Sequence, residues 1–332
     1  MGRPLRCAPM RILLTTTSFQ DTPGQHHERL AASGFEVVRA RGPLTEAQML
    51  ELIAAPDAQG RSGFDGLLNG DDAITAKVID AALAADRPLR VIAKYGIGLD
   101  SIDVAHATQR KVPVLFTPGV NHTTVAEHTI GLMIALAKHF GPHLAATRQG
   151  QWKRITGREL AGKTIAVLGG KGRIGQEVIK RVQVFGMTVV GHDLRWSRPI
   201  NDPACIDVLR RADIISLHLP LRDQTRHLID AAAIELMKDG AMVVNTGRGG
   251  LVDETAIAEA CRSGKLYGYA TDVLDVEPMQ TPHPFQGIDN IIITPHVGSR
   301  TFESVERQAM RAVLNLVNYL TGDPDYIQAN AW

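Results

Sequence analysis

The feature that most constrains the fold of this chain is the run K-T-I-A-V-L-G-G-K-G-R-I-G-Q-E-V-I-K-R, which spans residues 163–181. Its apolar stretch, glycine-rich turn and apolar residues at helical spacing predict a buried strand that leads through a turn into a helix. Only one register fits the pattern G-x-G-x-x-G: Gly170 permits the tight turn, Gly172 lets backbone approach a pyrophosphate, and Gly175 lets the helix pack against the strand. The run therefore predicts a dinucleotide-binding unit whose phosphates meet the helix N-terminus.

A carboxylate follows the next predicted strand at the spacing that a dinucleotide site requires. The apolar run Thr188–His192 leads to Asp193, which lies 18 residues after Gly175. Such a carboxylate binds the ribose hydroxyls of NAD and repels the additional phosphate of NADP. Arg195 and Arg198 could bind that phosphate, so the strictness of the preference stays open. The alternative is a structural turn with an unrelated surface aspartate, which the order and spacing of the parts disfavour.

Length, charge and cysteine usage exclude several classes of protein. A chain of 332 residues favours two domains. Its 36 basic and 35 acidic side chains form no block of like charge, so neither nucleic acid nor a membrane is an expected partner. Cys7, Cys205 and Cys261 are far apart, which predicts no disulfide framework and no metal site and fits a reducing, cytoplasmic environment. The longest apolar stretch, Ile130–Ala137, is too short to cross a bilayer.

Short apolar runs alternate with helical periods along the chain, which predicts parallel sheets covered by helices on both faces. The first series has strand-like runs at residues 12–15, 35–38, 64–68, 89–93 and 112–116. The second series has them at residues 164–168, 188–192, 214–218, 241–245, 267–271 and 291–294. We therefore expect an α/β fold with two Rossmann-like, doubly wound domains.

The segments between and after the two series set the predicted domain boundaries. An apolar helix is predicted from Thr124 to Phe140, ended by Gly141-Pro142, and is expected between the domains or at a dimer contact. The final helix, about residues 304–320, has no strand partner in the second series, so we expect it to return to the first domain. The predicted arrangement is a discontinuous, flavodoxin-like substrate domain of residues 10–119 and 302–332, with a NAD-binding Rossmann domain of residues 120–301 inserted into it.

Three strand ends of the second series carry side chains that suit hydride-transfer chemistry. They hold Arg248 within N-T-G-R-G-G, Asp272 and Glu277 within T-D-V-L-D-V-E-P, and His296 within T-P-H-V-G-S. Parallel strands bring these ends to one sheet edge, where open α/β sheets bind ligands. An arginine can hold a carboxylate with two hydrogen bonds, and a histidine backed by a carboxylate can carry a proton near neutral pH. Beside a dinucleotide turn, these groups predict interconversion of 2-oxo and 2-hydroxy acids.

Seven stretches in order resemble the D-isomer-specific 2-hydroxyacid dehydrogenase family, close to its phosphoglycerate dehydrogenase and hydroxypyruvate reductase branches. They are Y-G-I-G-L-D-S-I-D (95–103), T-P-G-V-N-H-T-T-V-A-E-H (117–128), G-G-K-G-R-I-G (169–175), H-L-P-L (218–221), N-T-G-R-G-G-L-V-D (245–253), D-V-L-D-V-E-P (272–278) and T-P-H-V-G-S (294–299). The resemblance covers nearly all of residues 11–325. It implies a NAD-dependent enzyme for a small 2-oxo acid and its D-2-hydroxy acid, with a homodimer as the expected assembly.

The same resemblance implies roles for individual residues. Arg248 would bind substrate, and Glu277 would orient His296, the general acid/base. Ile97 and Gly98 would present backbone amides to the substrate carboxylate. Asp272 and Thr246 would lie near the nicotinamide, and Arg173 and Ile174 near the pyrophosphate. The other implied cofactor-binding positions are Gly170, Gly172, Gly175, Asp193, Leu219, Pro220, Thr225, Gly247, Arg248, His296 and Gly298.

Departures from the family pattern leave the substrate and the class of function open. Asn69 and Gly70 stand where the phosphoglycerate branch often has an arginine, which puts a phosphorylated substrate in doubt. Lys94 could meet an anionic group, although a lysine at a strand end is more often solvated. Corepressors that resemble the same family use the fold as a dinucleotide-dependent binding scaffold, and fold alone does not separate the two classes. The complete set of catalytic residue types favours an enzyme.

Other histidines receive structural interpretations. His128, beside Glu127 on the predicted apolar helix, is expected to pack or cap instead of catalysing. His26 and His27 are expected at the surface.

Overall fold

The chain separates into two units, each built around its own parallel sheet. In the computed structural model, which describes residues 9–332, unit 1 extends to Asn121 and resumes at Arg300, and unit 2 comprises His122–Ser299. The predicted fold class, two parallel-sheet α/β domains, is confirmed. Cys205 and Cys261 are buried free thiols, and Cys7 lies outside the described residues.

Unit 1 is a doubly wound sheet with helices in its connections. Its strands are β1 (Arg11–Leu14), β2 (Glu36–Arg39), β3 (Gly66–Asn69), β4 (Val91–Lys94) and β5 (Val114–Leu115). Their order is β2-β1-β3-β4-β5, and every neighbouring pair is parallel. The helices before residue 122 are α1 (Thr17–Asp21), α2 (Gln25–Ala31), α3 (Glu46–Ala54), α4 (Ala76–Ala84) and α5 (Val104–Gln109).

Three strands of unit 1 begin two residues later than the apolar runs that predicted them. Phe64, Leu89 and Val112 precede β3, β4 and β5, and all three are buried in the core ahead of the hydrogen-bonded ladder. Burial extends beyond the strand here, so hydrophobic pattern overestimates strand length at these starts.

Unit 2 contains the other sheet and the helices that cover it. Its helices are α6 (His122–Ala137), α7 (Phe140–Arg148), α8 (Arg173–Val184), α9 (Pro203–Arg211), α10 (Ala231–Leu236) and α11 (Glu254–Ser263). Its strands are β6 (Thr164–Leu168), β7 (Thr188–Val190), β8 (Ile214–Leu217), β9 (Ala241–Asn245), β10 (Leu266–Thr271) and β11 (Ile291–Ile293). The order β11-β10-β9-β8-β6-β7 places β6 where the strand order reverses, which is where doubly wound sheets bind ligands.

The last helix, α12 (Phe302–Thr321), belongs to unit 1. Its Val313 and Leu316 share a buried core with Ile12 and Leu14 of β1. Leu13 lies between Ile12 and Leu14 in β1 and packs into the core on the other face of the sheet, because side chains alternate across a strand. Both faces of this sheet are therefore covered, one by α12 and the other by α3 to α5.

The prediction of one apolar helix ending at Gly141-Pro142 is wrong in its boundary. The first helix, α6, ends at Ala137, and Gly141-Pro142 lies in the first turn of α7. His139 adopts a left-handed conformation with φ 53°, which separates the two helices. Proline is tolerated in a first helical turn because its missing N–H needs no intrahelical partner there.

Candidate active site

The glycine turn of unit 2 joins β6 to α8 and is closely packed. The left-handed residue is Gly169, with φ 90°, one residue earlier than predicted. A Cβ on Gly170 would lie 2.5 Å from the His192 Cβ, and one on Gly175 would lie 2.5 Å from the Gly169 carbonyl oxygen. Gly170 is therefore required for its contact with the segment after β7, and Gly175 for helix packing, as predicted.

The N-terminus of α8 suits an anionic ligand. Helix α8 begins at Arg173. Its N-cap residue is Gly172, so no N-cap side chain accepts a hydrogen bond from the first amides of the helix. A Cβ on Gly172 would approach only the Gly169 carbonyl oxygen, at 3.2 Å, so the turn leaves its backbone accessible. Arg173 is exposed, and Ile174 packs partly against the core beneath the helix. The uncapped amides at the N-terminus of this 12-residue helix fit a bound pyrophosphate.

The segments that would flank an adenosine are exposed. His192 and Asp193 directly follow the left-handed Gly191, which has φ 67° after β7. Arg195 is exposed as well, whereas Arg198 pairs with Asp230 at 3.1 Å. After β8, Thr225 fixes the turn that contains Leu219 and Pro220, because its hydroxyl donates to the Pro220 carbonyl at 2.7 Å and accepts from the Arg222 amide at 2.9 Å.

Arg248 stands in a loop that is fixed by a residue that sequence analysis did not single out. Asn245, the last residue of β9, donates from Nδ2 to the Arg248 carbonyl at 2.8 Å and accepts from the Gly247 amide at 3.0 Å. Thr246 exchanges a hydrogen bond with the Thr129 hydroxyl at 2.8 Å. The half-buried Arg248 side chain donates to the Gly247 carbonyl at 2.7 Å. The only signal for Asn245 in the sequence was a polar residue at the end of the apolar run A-M-V-V, and the structure shows that it is buried.

The Arg248 loop packs directly on the segment that carries Glu277. A Cβ on Gly249 would lie 1.8 Å from the Leu274 carbonyl carbon and 2.1 Å from the Asp275 nitrogen. A side chain at residue 249 cannot fit, so the two backbones are in contact only because this residue is glycine.

Glu277 and His296 form a hydrogen-bonded pair. His296 Nδ1 lies 2.7 Å from Glu277 Oε2, and Glu277 Oε1 accepts from the Leu274 amide at 2.9 Å. Since a carboxylate accepts, Nδ1 carries the proton, and Nε2 is the basic nitrogen of the neutral ring. His296 adopts φ 51°, a left-handed conformation that is uncommon for histidine and is often found at functional sites. Both side chains are partly exposed, so a ligand can reach them.

Asp272 is buried beneath the His296 segment and holds it in place. Its carboxylate accepts from the Thr294 hydroxyl at 2.6 Å and from the Val297 and Gly298 amides at 2.9 and 2.7 Å. His128 Nε2 lies 3.3 Å from the same carboxylate. Burial opposes ionisation, but these hydrogen bonds outweigh it and lower the pKa of Asp272.

His128 therefore has a packing role, as its interpretation from sequence proposed. Its Nε2 also lies 2.9 Å from the Thr294 hydroxyl, so the long helix α6 supports the strand end that leads to His296. Glu127 points elsewhere and pairs with Arg181 at 3.2 Å.

In unit 1 the loop after β4 contains Ile97 and Gly98. It is anchored by Gly96 and Thr117, whose backbone and side-chain groups exchange two hydrogen bonds of 3.0 Å. Ile97 is 44% exposed. Lys94, directly before this loop, is buried and not solvated, because its ammonium binds the Gly70 carbonyl at 2.6 Å and Asp71 at 2.5 Å.

The expectation that His26 lies at the surface is also wrong. His26 is fully buried and its Nε2 donates to the Phe19 carbonyl at 3.0 Å, while its ring contacts Phe19 edge-on. The sequence shows two adjacent histidines and does not indicate that only one of them, His26, is buried in the core.

Comparison with known proteins assigns the family. The sequence profile described as "D-isomer specific 2-hydroxyacid dehydrogenase, NAD binding domain" matches residues 130–298, which is half of the chain. The chain belongs to the D-isomer specific 2-hydroxyacid dehydrogenase family. Membership makes it an NAD-dependent oxidoreductase of the 2-hydroxyacid dehydrogenase type, and the uncapped helix start of α8 fits the pyrophosphate of that cofactor.

Individual relatives of this dehydrogenase agree with the family assignment. The chain is 40% identical to the hydroxypyruvate reductase of Thermotoga maritima over 247 residues, which cover 72% of this chain and 79% of that protein. It is 38% identical over 278 residues to the D-3-phosphoglycerate dehydrogenase of Methanocaldococcus jannaschii, covering 81% of this chain but only half of that relative's length. The NAD-bound 3-phosphoglycerate dehydrogenase structure from Entamoeba histolytica superposes with a TM-score of 0.77 at 26% identity, covering 98% of this chain and all of that one.

Within residues 9–332, no group of three or more histidine, cysteine, aspartate or glutamate side chains could hold a metal ion. None of the helices described in this range is both long and apolar enough to cross a bilayer.

Proposed function

We propose that this NAD-dependent dehydrogenase interconverts a small 2-oxo acid and its D-2-hydroxy acid, with His296 as general acid/base. The observation that carries the proposal is the 2.7 Å pair of Glu277 and His296. The segment that carries Glu277 packs at Leu274 and Asp275 on Gly249 of the Arg248 loop. In this proposal His296 carries the proton and Arg248 binds the substrate carboxylate, and both follow strands of the sheet in unit 2. These are the groups that reduction of a 2-oxo acid requires.

The protein's residues divide the chemistry between them. The β6–α8 turn would hold the dinucleotide, which when bound would provide the hydride for reduction and take it up for oxidation. For reduction, His296 donates the Nε2 proton of its charged ring to the carbonyl oxygen; for oxidation, the neutral Nε2 accepts the hydroxyl proton. Ionised Glu277 holds the Nδ1 proton and stabilises the charged ring. Arg248 binds the substrate carboxylate and polarises the adjacent carbonyl.

The remaining site residues keep the roles that the resemblance gave them. We assign the substrate carboxylate also to the Ile97 and Gly98 amides, which follow β4 in unit 1. In unit 2, Thr246 and Gly247 are assigned to the nicotinamide side, and Leu219, Pro220 and Thr225 to the dinucleotide. Asp272 and Gly298 are assigned to the same region, where the Asp272 carboxylate is already bound by the Gly298 amide.

We also propose a cytoplasmic homodimer. Large apolar side chains are exposed on and after α7, with Phe140 at 48%, Leu144 at 55% and Trp152 at 81% exposure, which supports a covered surface in the assembled protein. The widely separated cysteines support a reducing compartment. Light scattering on the purified chain tests the dimer, and a monomer at micromolar concentration would contradict it.

A substrate panel tests the proposed reaction. Glyoxylate, hydroxypyruvate, phosphohydroxypyruvate and larger 2-oxo acids are each mixed with NADH or NADPH, and the loss of absorbance of the reduced nicotinamide is followed. We expect turnover with at least one small 2-oxo acid and a preference for NADH. Replacing His296 by Asn should abolish most turnover and leave NADH binding, measured by fluorescence titration, nearly intact. Tight NADH binding with no turnover of any 2-oxo acid would favour the binding-scaffold alternative.

A further inference from the structure

The carboxyl ends of β3 and β4 place two buried polar side chains side by side in unit 1. Asn69 and Lys94 are register partners on adjacent parallel strands, so their side chains lie on the same face. Both reach the same acceptor: Asn69 Nδ2 donates to the Gly70 carbonyl at 3.1 Å, and Lys94 Nζ donates to it at 2.6 Å. This edge directly precedes the loop of Ile97 and Gly98, and such edges bind ligands in open α/β sheets.

The charge of Lys94 is already neutralised. Its side chain is only 2% exposed, and Nζ lies 2.5 Å from Asp71 Oδ1, whose side chain is 71% exposed. A buried lysine stays charged only with such a partner, so Asp71 brings a compensating negative charge to the surface of this edge. A ligand that approaches it meets the carboxylate and not the ammonium.

Two further charged side chains near this edge are engaged in hydrogen bonds or ion pairs. Asp72 is buried, and its carboxyl group accepts from the Thr15 hydroxyl and from the Gly70 amide at 3.0 Å. Arg300 donates to Asp21 at 3.0 Å, and Asp21 also pairs with Arg41 at 2.9 Å.

Asn69 Oδ1, at the same sheet edge, can accept a hydrogen bond from an uncharged donor. Asn69 is fully buried, and its Oδ1 has no hydrogen-bond partner among residues 9–332. The amide orientation is fixed, because Nδ2 must face the Gly70 carbonyl. An amide oxygen can accept a hydrogen bond from a hydroxyl and repels a phosphate oxygen. Asn69 at the end of β3 and the paired Lys94 at the end of β4 therefore both favour a ligand with a hydroxyl in place of a phosphate.

We propose that Asp71 is a specificity-determining residue: by pairing with Lys94 it excludes a distal phosphate, so that the substrate is a 2-oxo acid with an uncharged, hydroxyl-bearing distal group. This inference rests on the proposed function and names the substrate class of the same site. Asp71 does not take part in the reaction itself.

Hydroxypyruvate and phosphohydroxypyruvate are the probes, because they differ by one phosphate. The wild-type protein should reduce hydroxypyruvate with the higher kcat/KM. Replacing Asp71 by Asn releases the charge of Lys94 and should raise kcat/KM for phosphohydroxypyruvate by about tenfold or more, chiefly through KM, which is the size expected for one partly buried charge pair. The value for hydroxypyruvate should stay within about threefold, because its distal group carries no charge. Asp239→Asn is the matched control: Asp239 pairs with Lys265 in unit 2 at 2.8 Å, and its loss changes the net charge equally.

Wild-type protein gives an independent measurement if Asp71→Asn does not fold. Raising the ionic strength from about 20 to about 200 mM screens the repulsion, so the phosphohydroxypyruvate to hydroxypyruvate ratio of kcat/KM should rise. A folded Asp71→Asn variant with an unchanged ratio would overturn the role of Asp71, as would a wild-type preference for phosphohydroxypyruvate or a ratio that falls with salt. In those cases hydroxypyruvate turnover persists and the proposed function stands. Loss of turnover with every 2-oxo acid in the wild-type protein overturns both.

Discussion

Arg248 is the residue whose geometry matters more than its charge. Replacing it by Lys keeps the cation but removes the two-pronged grip on a carboxylate, so KM should rise and kcat should fall. We expect a loss of about 10² or more in kcat/KM, the usual contribution of a preorganised donor. Steady-state kinetics with the best 2-oxo acid measure the loss, with Arg210→Lys on the exposed face of α9 as control. Near-normal activity of Arg248→Lys would show that this side chain is not the substrate clamp.

Glu277 is the residue that should set the pH range of the reaction. Its carboxylate, 2.7 Å from His296 Nδ1, favours the charged imidazole, and Gln keeps a hydrogen bond but not the charge. Glu277→Gln should therefore shift the alkaline limit of reduction toward acid by about 1 pH unit, and oxidation should begin at lower pH. The measurement is kcat/KM against pH in both directions.

The control for this prediction is Glu259→Gln on the exposed face of α11, which should leave both profiles in place. If the chemical step limits the rate and the Glu277→Gln profile coincides with the wild-type profile, another group supports His296 or handles the proton.

Single residues also mark the limits of sequence analysis. The glycine turn, Arg248, Glu277 and His296 could be singled out because turn geometry and proton chemistry require particular residue types. Burial of Lys94 could not be predicted, since it depends on Asp71 and the Gly70 carbonyl, which reach it from a different strand. Asn245 was missed because its bonds to Gly247 and Arg248 depend on the conformation of the turn after β9. For His128 a packing role was expected, but its partner Thr294 was not, because that contact depends on how separate elements pack.

Between elements, Gly249 is the contact point that brings two functional segments together. An added Cβ would overlap the backbone at Leu274 and Asp275, so Gly249→Ala must separate the Arg248 loop from the segment that bears Glu277. We expect destabilisation of about 1–3 kcal/mol, the usual cost of overpacking, and a larger proportional loss of kcat/KM. Thermal unfolding and kinetics are measured on the same preparation.

Gly131→Ala in α6 is the matched control for that change. An added Cβ at Gly131 meets no heavy atom within 4 Å in the part of the chain that the structure describes, leaving out its chain neighbours and the backbone of its own helix. Because alanine favours a helix over glycine by about 1 kcal/mol, this control should be neutral or slightly stabilising. Equal stability and activity of the two variants would contradict the proposed close packing.

Element order was largely predictable because parallel strands bury both faces and read as apolar runs. Strands β6 and β9 match their predicted bounds. The errors arise where burial and hydrogen bonding differ, as at Phe64 before β3, and where a helix breaker serves as a helix start, as at Pro142 in α7. The hydrophobic periodicity of a sequence indicates which residues are buried, whereas backbone hydrogen bonds determine where a strand or helix begins.

Across the whole molecule, each unit contains a histidine whose neutral form is favoured. In unit 1, burial lowers the pKa of His26. In unit 2, burial lowers the pKa of His218 to about 4. For both, the unfolded chain binds a proton more readily, so stability is complete above about pH 6.5 and falls as the pH drops toward the folded value.

Carboxylates extend this loss to lower pH. Hydrogen bonding from the Arg61 amide, with help from Arg87, lowers the pKa of Asp57 to about 2. Hydrogen bonds from Lys180 and Arg181 lower that of Glu177 to about 2 as well. Their contribution is present above about pH 4 and is lost as the pH falls through 2. Acid should therefore weaken both units in two stages, first through histidines and then through carboxylates.

His218 separates the first stage experimentally. Its Nε2 lies 2.8 Å from the Ser216 hydroxyl, and its Nδ1 is buried without a hydrogen-bond partner in residues 9–332, so protonation would place a charge where nothing accepts it. Because the pKa of His218 in the folded protein is about 4, the wild-type protein should lose about 2 kcal/mol of its free energy of unfolding through this group between about pH 7.5 and pH 5.

Gln cannot be protonated in this range, so His218→Gln should be less stable than wild type at pH 7.5 and recover most of the difference at pH 5. In thermal unfolding followed by circular dichroism, the gap in Tm should narrow by about 5 °C. Ser216→Ala removes the hydrogen-bond partner but keeps the imidazole, so its gap should stay nearly constant with pH. A constant gap for His218→Gln would mean that His218 accepts a proton in the folded protein as easily as in the unfolded chain.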